Sequence, residues 1–187
     1  KELKPVIDKA QIRHALCDFH LATEVQSAAQ QCPTLQTVRY FNDDSANGLD
    51  AAMARHSPVF ANANTASDDT CIIAFTSGTT GIPKATMHFH RDVMAVCACW
   101  PPHVLRATSE DVFMGSPPLA FTFGLGGLVL FPLSVGASTV LLEKAGPPQL
   151  LEAIQTFGAT VLFTAPTSYR AMAPQGQALR NGTLRHC

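Results

Sequence analysis

Ile72-Ile73-Ala74-Phe75-Thr76-Ser77-Gly78-Thr79-Thr80-Gly81-Ile82-Pro83-Lys84 is the stretch on which the reading of this chain turns. Its first residues are apolar or β-branched and read as a buried strand. The hydroxyls of Ser77, Thr79 and Thr80 crowd around Gly78 and Gly81, and Lys84 follows shortly after. Glycine lets the backbone turn through positive φ and approach a ligand closely. Successive N–H groups and hydroxyls can then surround phosphate oxygens, while the lysine adds a point charge. A strand, a glycine–hydroxyl loop and a lysine together describe a phosphate cradle.

The loop is not of the Walker type. That motif runs Gly-Lys-Ser/Thr straight into a helix. Here Pro83 precedes Lys84 and Ala85 follows it, so no hydroxyl directly succeeds the lysine. Residues 85–89 alternate weakly and read as a second strand, which makes the unit strand–loop–strand.

Working outward, Pro117-Pro118-Leu119-Ala120-Phe121-Thr122-Phe123-Gly124-Leu125-Gly126 couples aromatics to glycines. Next come Gly136-Ala137-Ser138-Thr139-Val140-Leu141-Leu142 and Val161-Leu162-Phe163-Thr164-Ala165-Pro166-Thr167. With the 75–84 loop, these runs resemble, in order, the signature motifs of the adenylate-forming enzymes: acyl- and aryl-CoA synthetases, luciferases and peptide-synthetase adenylation domains. The Phe-Thr-Phe-Gly-Leu-Gly run is most similar to that of benzoate- and 2-aminobenzoate-CoA ligases.

The resemblance implies an α/β fold, with sheets flanked by helices, forming part of a large N-terminal AMP-binding domain over residues 1–187. It implies ATP, Mg²⁺ and CoA as co-substrates and cofactor, and a small-molecule carboxylic acid as substrate. Thr76, Ser77, Gly78, Thr79, Thr80, Gly81 and Lys84 would hold the β- and γ-phosphates. Lys84 and Thr80 would act catalytically, Thr80 on the Mg²⁺ side. Phe121, Phe123, Gly124 and Gly126, with Gly127, would border the acyl pocket. The family's Tyr-Gly-x-Thr-Glu motif, ribose-binding aspartate, hinge and small C-terminal domain with its catalytic lysine are expected beyond Cys187. The remainder of the same polypeptide is therefore the expected partner, and the 187 residues alone are expected to be inactive. The competing reading is a nucleotide-binding or scaffold module without ligase activity.

The pocket can be read from its residues as well. Aromatic walls beside missing side chains suit a flat ring, and the lesser alternative is that Phe121 and Phe123 are core residues. No acid lies between residues 120 and 130. An ammonium buried there would lack a counter-charge, which disfavours an amino-acid substrate.

Composition agrees with a core-rich piece of protein: 47% of residues are hydrophobic and 14% charged. A net charge of −1 gives no basic footprint for nucleic acid. Residues 112–142 contain no charge and are long enough to cross a bilayer. Pro117, Pro118, Pro132 and several glycines break that stretch, so it reads as strand 112–115, helix 123–131 and strand 138–142 of a buried core rather than a membrane span.

The other expected elements are helices over 1–10, 22–31, 91–100 and 147–157, and strands over 12–17 and 35–41. Residues 62–69 read as a loop, and 175–187 as a frayed end. The six cysteines show no metal-finger spacing and read as a reduced, cytoplasmic set. Cys17 and Cys71 are expected to be small buried hydrophobes. His88 and His90 would share a strand face, as a metal pair can, but no third ligand is nearby and a structural role is expected. Trp100 is expected to pack at a helix end.

Overall fold

The computed structural model describes residues 3–76, 84–176 and 182–187. They divide into two compact units, Lys1–His90 and Arg91–Cys187.

The first unit opens with α1 (Leu3–Ala10), β1 (His14–Asp18), α2 (Ala22–Ala29) and β2 (Thr37–Phe41). β1 and β2 run parallel, with His14 opposite Thr37 and Asp18 opposite Phe41. Parallel neighbours need a crossover, and α2 supplies it. Ile7 of α1 and Ala28 of α2 are buried with Cys32, and Ile12 and Leu35 close over them. A short helix α3 (Leu49–Met53) follows, and residues 57–66 then run without regular structure.

β3 (Thr70–Thr76) and β4 (Lys84–Phe89) form an antiparallel hairpin. Their β-branched and aromatic content suits a half-buried ribbon. The register shifts between Thr70 and Ile72, placing a bulge at Cys71. Cys71 is therefore exposed, contrary to the expectation of a buried thiol, whereas Cys17 is buried as expected. Cys32, with no exposed surface, is the thiol that packs most completely.

The second unit is built on a three-stranded parallel sheet of order β6-β5-β7, from β5 (Val112–Gly115), β6 (Ser138–Val140) and β7 (Val161–Phe163). Phe113 and Met114 on the central strand are both 0% exposed and point to opposite faces. Phe113 joins Leu105 and Val161, with Phe131 and Phe163 packed alongside. Met114 meets Leu150, Ile154 and Leu162 on the other face. Leu150, Leu151 and Ile154 belong to α7 (Pro147–Phe157), an amphipathic helix that ends at Gly158 with φ +63°. Helices thus flank a parallel sheet, as expected for this fold class.

Two helices are longer than their sequence suggests, because proline prolongs rather than ends them. α4 (His90–Trp100) continues through a π-helical turn at Pro101–Leu105. α5 (Thr122–Leu125) continues through a π-helical turn at Gly126–Leu130 into α6 (Phe131–Val135). Pro101 and Pro102 lack the N–H of a normal i→i−4 bond and sit at the start of the wider turn, while Pro132 sits in the first turn of α6. The charge-free stretch is consequently split among β5, this helical run and β6. No helix among the described residues is long and apolar enough to cross a membrane.

The chain end differs from expectation. Residues 182–187 are not frayed: Arg185 and His186 donate backbone hydrogen bonds to Thr160 O, and Leu162 N donates to His186 O at 3.0 Å. A parallel bridge joins Val161 to His186. The polar appearance of this segment concealed its bridge to β7. α8 (Pro166–Met172) starts just after β7, at the expected strand-to-helix junction.

Candidate functional site

One candidate site, in the first unit, is the mouth of the β3–β4 hairpin. Thr76 ends β3 and Lys84 begins β4, and the two are antiparallel partners. Both are exposed. Paired antiparallel residues stand about 4.5–5.5 Å apart at Cα, so the hydroxyl and the ammonium flank one opening. Ser77, Gly78, Thr79, Thr80 and Gly81 lie outside the described residues. The strand–loop–strand context is the one expected, and it separates this loop from a Walker loop, in which a helix would follow the lysine. Across the ribbon, Thr86 donates its hydroxyl to Ala74 O at 3.2 Å. His90 N donates to Asp69 O at 3.2 Å, which fixes the hairpin's far end.

β4 ends at Phe89 and α4 begins at His90. His88 and His90 therefore do not share a strand face, which removes the geometry of a metal pair. Among the described residues no group of three or more His, Cys, Asp or Glu could hold a metal ion.

A separate candidate site lies in the second unit, beside β7. A cavity of about 340 Å³ is lined by Trp100, Val104, Phe123, Phe163, Thr164 and Tyr169, among others. That volume falls in the range of small-molecule sites. Phe163 organises its wall. Its ring meets Phe123 edge-on at 5.8 Å, stacks on Phe113 at 6.3 Å and tilts against Phe131 at 6.3 Å. Such pairs add about 0.5–1.5 kcal/mol each beyond area burial. Thr164 is buried and shares a 2.6 Å hydroxyl–hydroxyl hydrogen bond with Ser116 at the carboxyl ends of β7 and β5. That end of a parallel sheet is where ligands gather. Tyr169 donates its hydroxyl to Leu162 O at 2.7 Å. Among the described residues no Asp, Glu, Lys or Arg side chain lines the cavity, although His186 does.

The expected pocket residues are not alike. Phe123 is half exposed, at 50%, and faces this cavity. Phe121 is 65% exposed and precedes α5. Gly124 leaves no open slot: a Cβ there would collide with the backbone carbonyl of Pro118. Gly127 is similar, since a Cβ would stand 2.8 Å from the Phe163 ring. At Gly126 an added Cβ would only touch Phe131, at 3.4 Å. Gly124 and Gly127 thus serve close packing, and Gly126 has room beside it. Trp100 closes α4 as expected, yet it also lines the cavity. Phe163, Thr164 and Tyr169 were readable only as strand and helix residues; their i, i+1 and i+6 spacing carries no pocket signal. A larger depression of about 830 Å³ along α1 and α2 is lined by Lys4, Thr23, Glu24 and Ser27, outside the runs that carry the family resemblance.

Asp111 and Arg185 form an ion pair at the foot of the sheet. Burial pushes the Asp111 carboxyl up, but hydrogen bonds from Arg185, Thr160 and the Thr108 backbone outweigh it and hold the pKa at about 2.

Benzoate–CoA ligase of Thauera aromatica is 32% identical over 154 residues, covering 82% of this chain and 29% of that protein. The crystal structure of the anthranilate CoA ligase AuaEII in complex with anthranoyl-AMP superposes with a TM-score of 0.82 at 27% identity, covering 91% of this chain and 33% of the other. ATP-bound MatB from Rhodopseudomonas palustris gives a TM-score of 0.79 at 29% identity, with the same coverage. The chain therefore spans about a third of the length of these relatives. Residues 1–187 match the family model for AMP-binding enzymes, and the chain belongs to that family.

Proposed function

We propose that the full-length protein activates an aromatic carboxylic acid with ATP and passes the acyl group to CoA. A carboxylate oxygen attacks the α-phosphorus of ATP, the bond from that phosphorus to the bridging oxygen breaks, and pyrophosphate leaves. The thiol of CoA then loses its proton and attacks the acyl carbonyl, releasing AMP. The observation that carries this reading is the pairing of Thr76 with Lys84 at the mouth of the hairpin.

Negative charge grows on the departing pyrophosphate, and fixed donors aimed at it lower the barrier. In this reading Lys84 supplies the cation, and Thr76, Ser77, Thr79 and Thr80 supply hydroxyls. Gly78 and Gly81 give backbone access. Exposed oxygen and ammonium donors suit a triphosphate. Mg²⁺, held on the Thr80 side, would neutralise phosphate charge. The acid's ring lies against Phe123, near Gly126, with Phe121 and Gly124 framing the turn. An apolar lining without a carboxylate favours a neutral ring over an amino acid. The names of the relatives, benzoate and anthranilate ligases, support the same choice.

The test is acid-dependent exchange of pyrophosphate into ATP by the full-length protein. Benzoate-type acids should drive exchange and α-amino acids should not. Nucleotide binding without exchange for any acid would favour the module reading instead. The 187-residue chain alone should produce neither AMP nor acyl-CoA.

A further inference from the structure

Asp111 stands just before β5 and is 4% exposed. Its Oδ1 accepts from Thr160 Oγ1 at 2.7 Å and from Arg185 Nε at 2.8 Å. Its Oδ2 accepts from Thr108 N at 2.8 Å and from Arg185 Nη2. Arg185 also donates through Nη1 to Leu105 O at 2.9 Å and through Nη2 to Arg106 O at 3.4 Å. One guanidinium therefore joins residues 182–187 to the end of the π-helical turn and to the feet of β5 and β7.

Adhesion alone does not call for such a group. Asp111 is buried while the Arg185 side chain stays 35% exposed, so desolvation of the carboxylate offsets part of the attraction, and apolar contact does similar work at lower cost. Leu184 already packs on the core beside Met114 and Leu162. A bidentate fork adds direction, because guanidinium and carboxylate meet in one plane and one orientation. Direction matters here: residues 182–187 meet β7 through the Val161–His186 bridge and through hydrogen bonds at Thr160 and Leu162, and a slip of one residue would exchange the faces of His186 and Cys187. Both of these residues line the cavity that holds Phe123. The π-helical turn, tied by the same guanidinium, contributes Val104 and Leu105.

We propose that Asp111 and Arg185 are a positioning pair that fixes the register of residues 182–187 beside β7 and thereby the shape of the cavity that receives the acid. The inference rests on the functional reading above. It assigns to the pair no contact with substrate; its effect passes through His186, Cys187 and the π-helical turn.

The test compares the full-length parent with Arg185→Gln and with the charge-neutral double variant Asp111→Asn, Arg185→Gln, in pyrophosphate exchange with benzoate. The KM for benzoate should rise about tenfold in either variant, the scale of a modest misplacement of substrate. The KM for ATP should stay within about twofold, since the phosphate loop is untouched. If both neutral variants fail to fold, Arg185→Lys, which keeps the charge and loses the fork, should raise the benzoate KM about threefold. An active parent whose folded variants keep the benzoate KM, with only a lower melting temperature, would overturn the positioning role alone. A parent without exchange for any aromatic acid would overturn the functional reading and this inference with it.

Discussion

The β3–β4 hairpin and the β6-β5-β7 sheet solve different problems. The hairpin is two strands ending in an exposed threonine and an exposed lysine. Its candidate chemistry comes from neighbours in sequence, and any ligand would meet backbone and hydroxyls presented by one loop. The parallel sheet buries Phe113 and Met114 completely and builds its cavity from side chains far apart in the chain, from Trp100 to Cys187. Charge binding can be local because an N–H or an ammonium acts by itself. An apolar pocket cannot, because it exists only where several segments exclude water together.

The contrast can be broken most forcefully at Phe163. Phe163→Ala removes the ring shared by Phe113, Phe123 and Phe131 and should cost about 3–5 kcal/mol of stability. Urea denaturation measures it; a loss below about 1 kcal/mol would mean the aromatic wall is not the frame of this unit. At the hairpin the expectation reverses. Lys84→Ala should leave the melting temperature nearly unchanged and slow adenylate formation by at least ~10²-fold, or about 3 kcal/mol in the barrier. Exchange at the parent rate would remove the lysine from the phosphate site.

The foot of the sheet offers a pH test. Asp111 is held below its usual range in the folded state, at about 2 against 3.8 unfolded. A depressed carboxyl stabilises the fold above the unfolded value and loses that contribution as pH falls through the folded one. Stability should therefore drop by about 2 kcal/mol between roughly pH 4 and pH 2. Asp111→Asn should abolish that portion of the pH dependence, which denaturation at several pH values would reveal. The smallest effect sharpens the pocket itself. Phe123 is half exposed, so Phe123→Leu should change stability by less than about 1 kcal/mol. It should still raise KM for a benzoate-type acid about fivefold through lost ring contact, a change of about 1 kcal/mol. Equal KM values for parent and variant would place the ring elsewhere.

Gly124 shows where reading residues alone went astray. Beside two phenylalanines, a missing side chain looks like space for a ring. In the fold, that space is taken by the Pro118 carbonyl, and glycine permits a backbone approach instead. The same applies to the end of the chain. Polar residues at 182–187 carry no strand pattern, yet Arg185 finds Asp111 at a sequence distance of 74 and the segment joins β7. Cys71 looked buried until a bulge turned it outward.

Local order was determined by the sequence itself: the strand–loop–strand around Lys84, the parallel-sheet strands at 112–115 and 161–163, and the helix from Pro147 to Phe157. These depend on propensity, periodicity and turn chemistry within a few residues of one another. Only the tertiary structure decided that Phe163 joins three rings, that Thr164 pairs with Ser116, and that one guanidinium ties residues 182–187 to the foot of the sheet. The partners in each case lie tens of residues apart, and no local pattern encodes a contact that exists only once the sheet has brought its strands side by side.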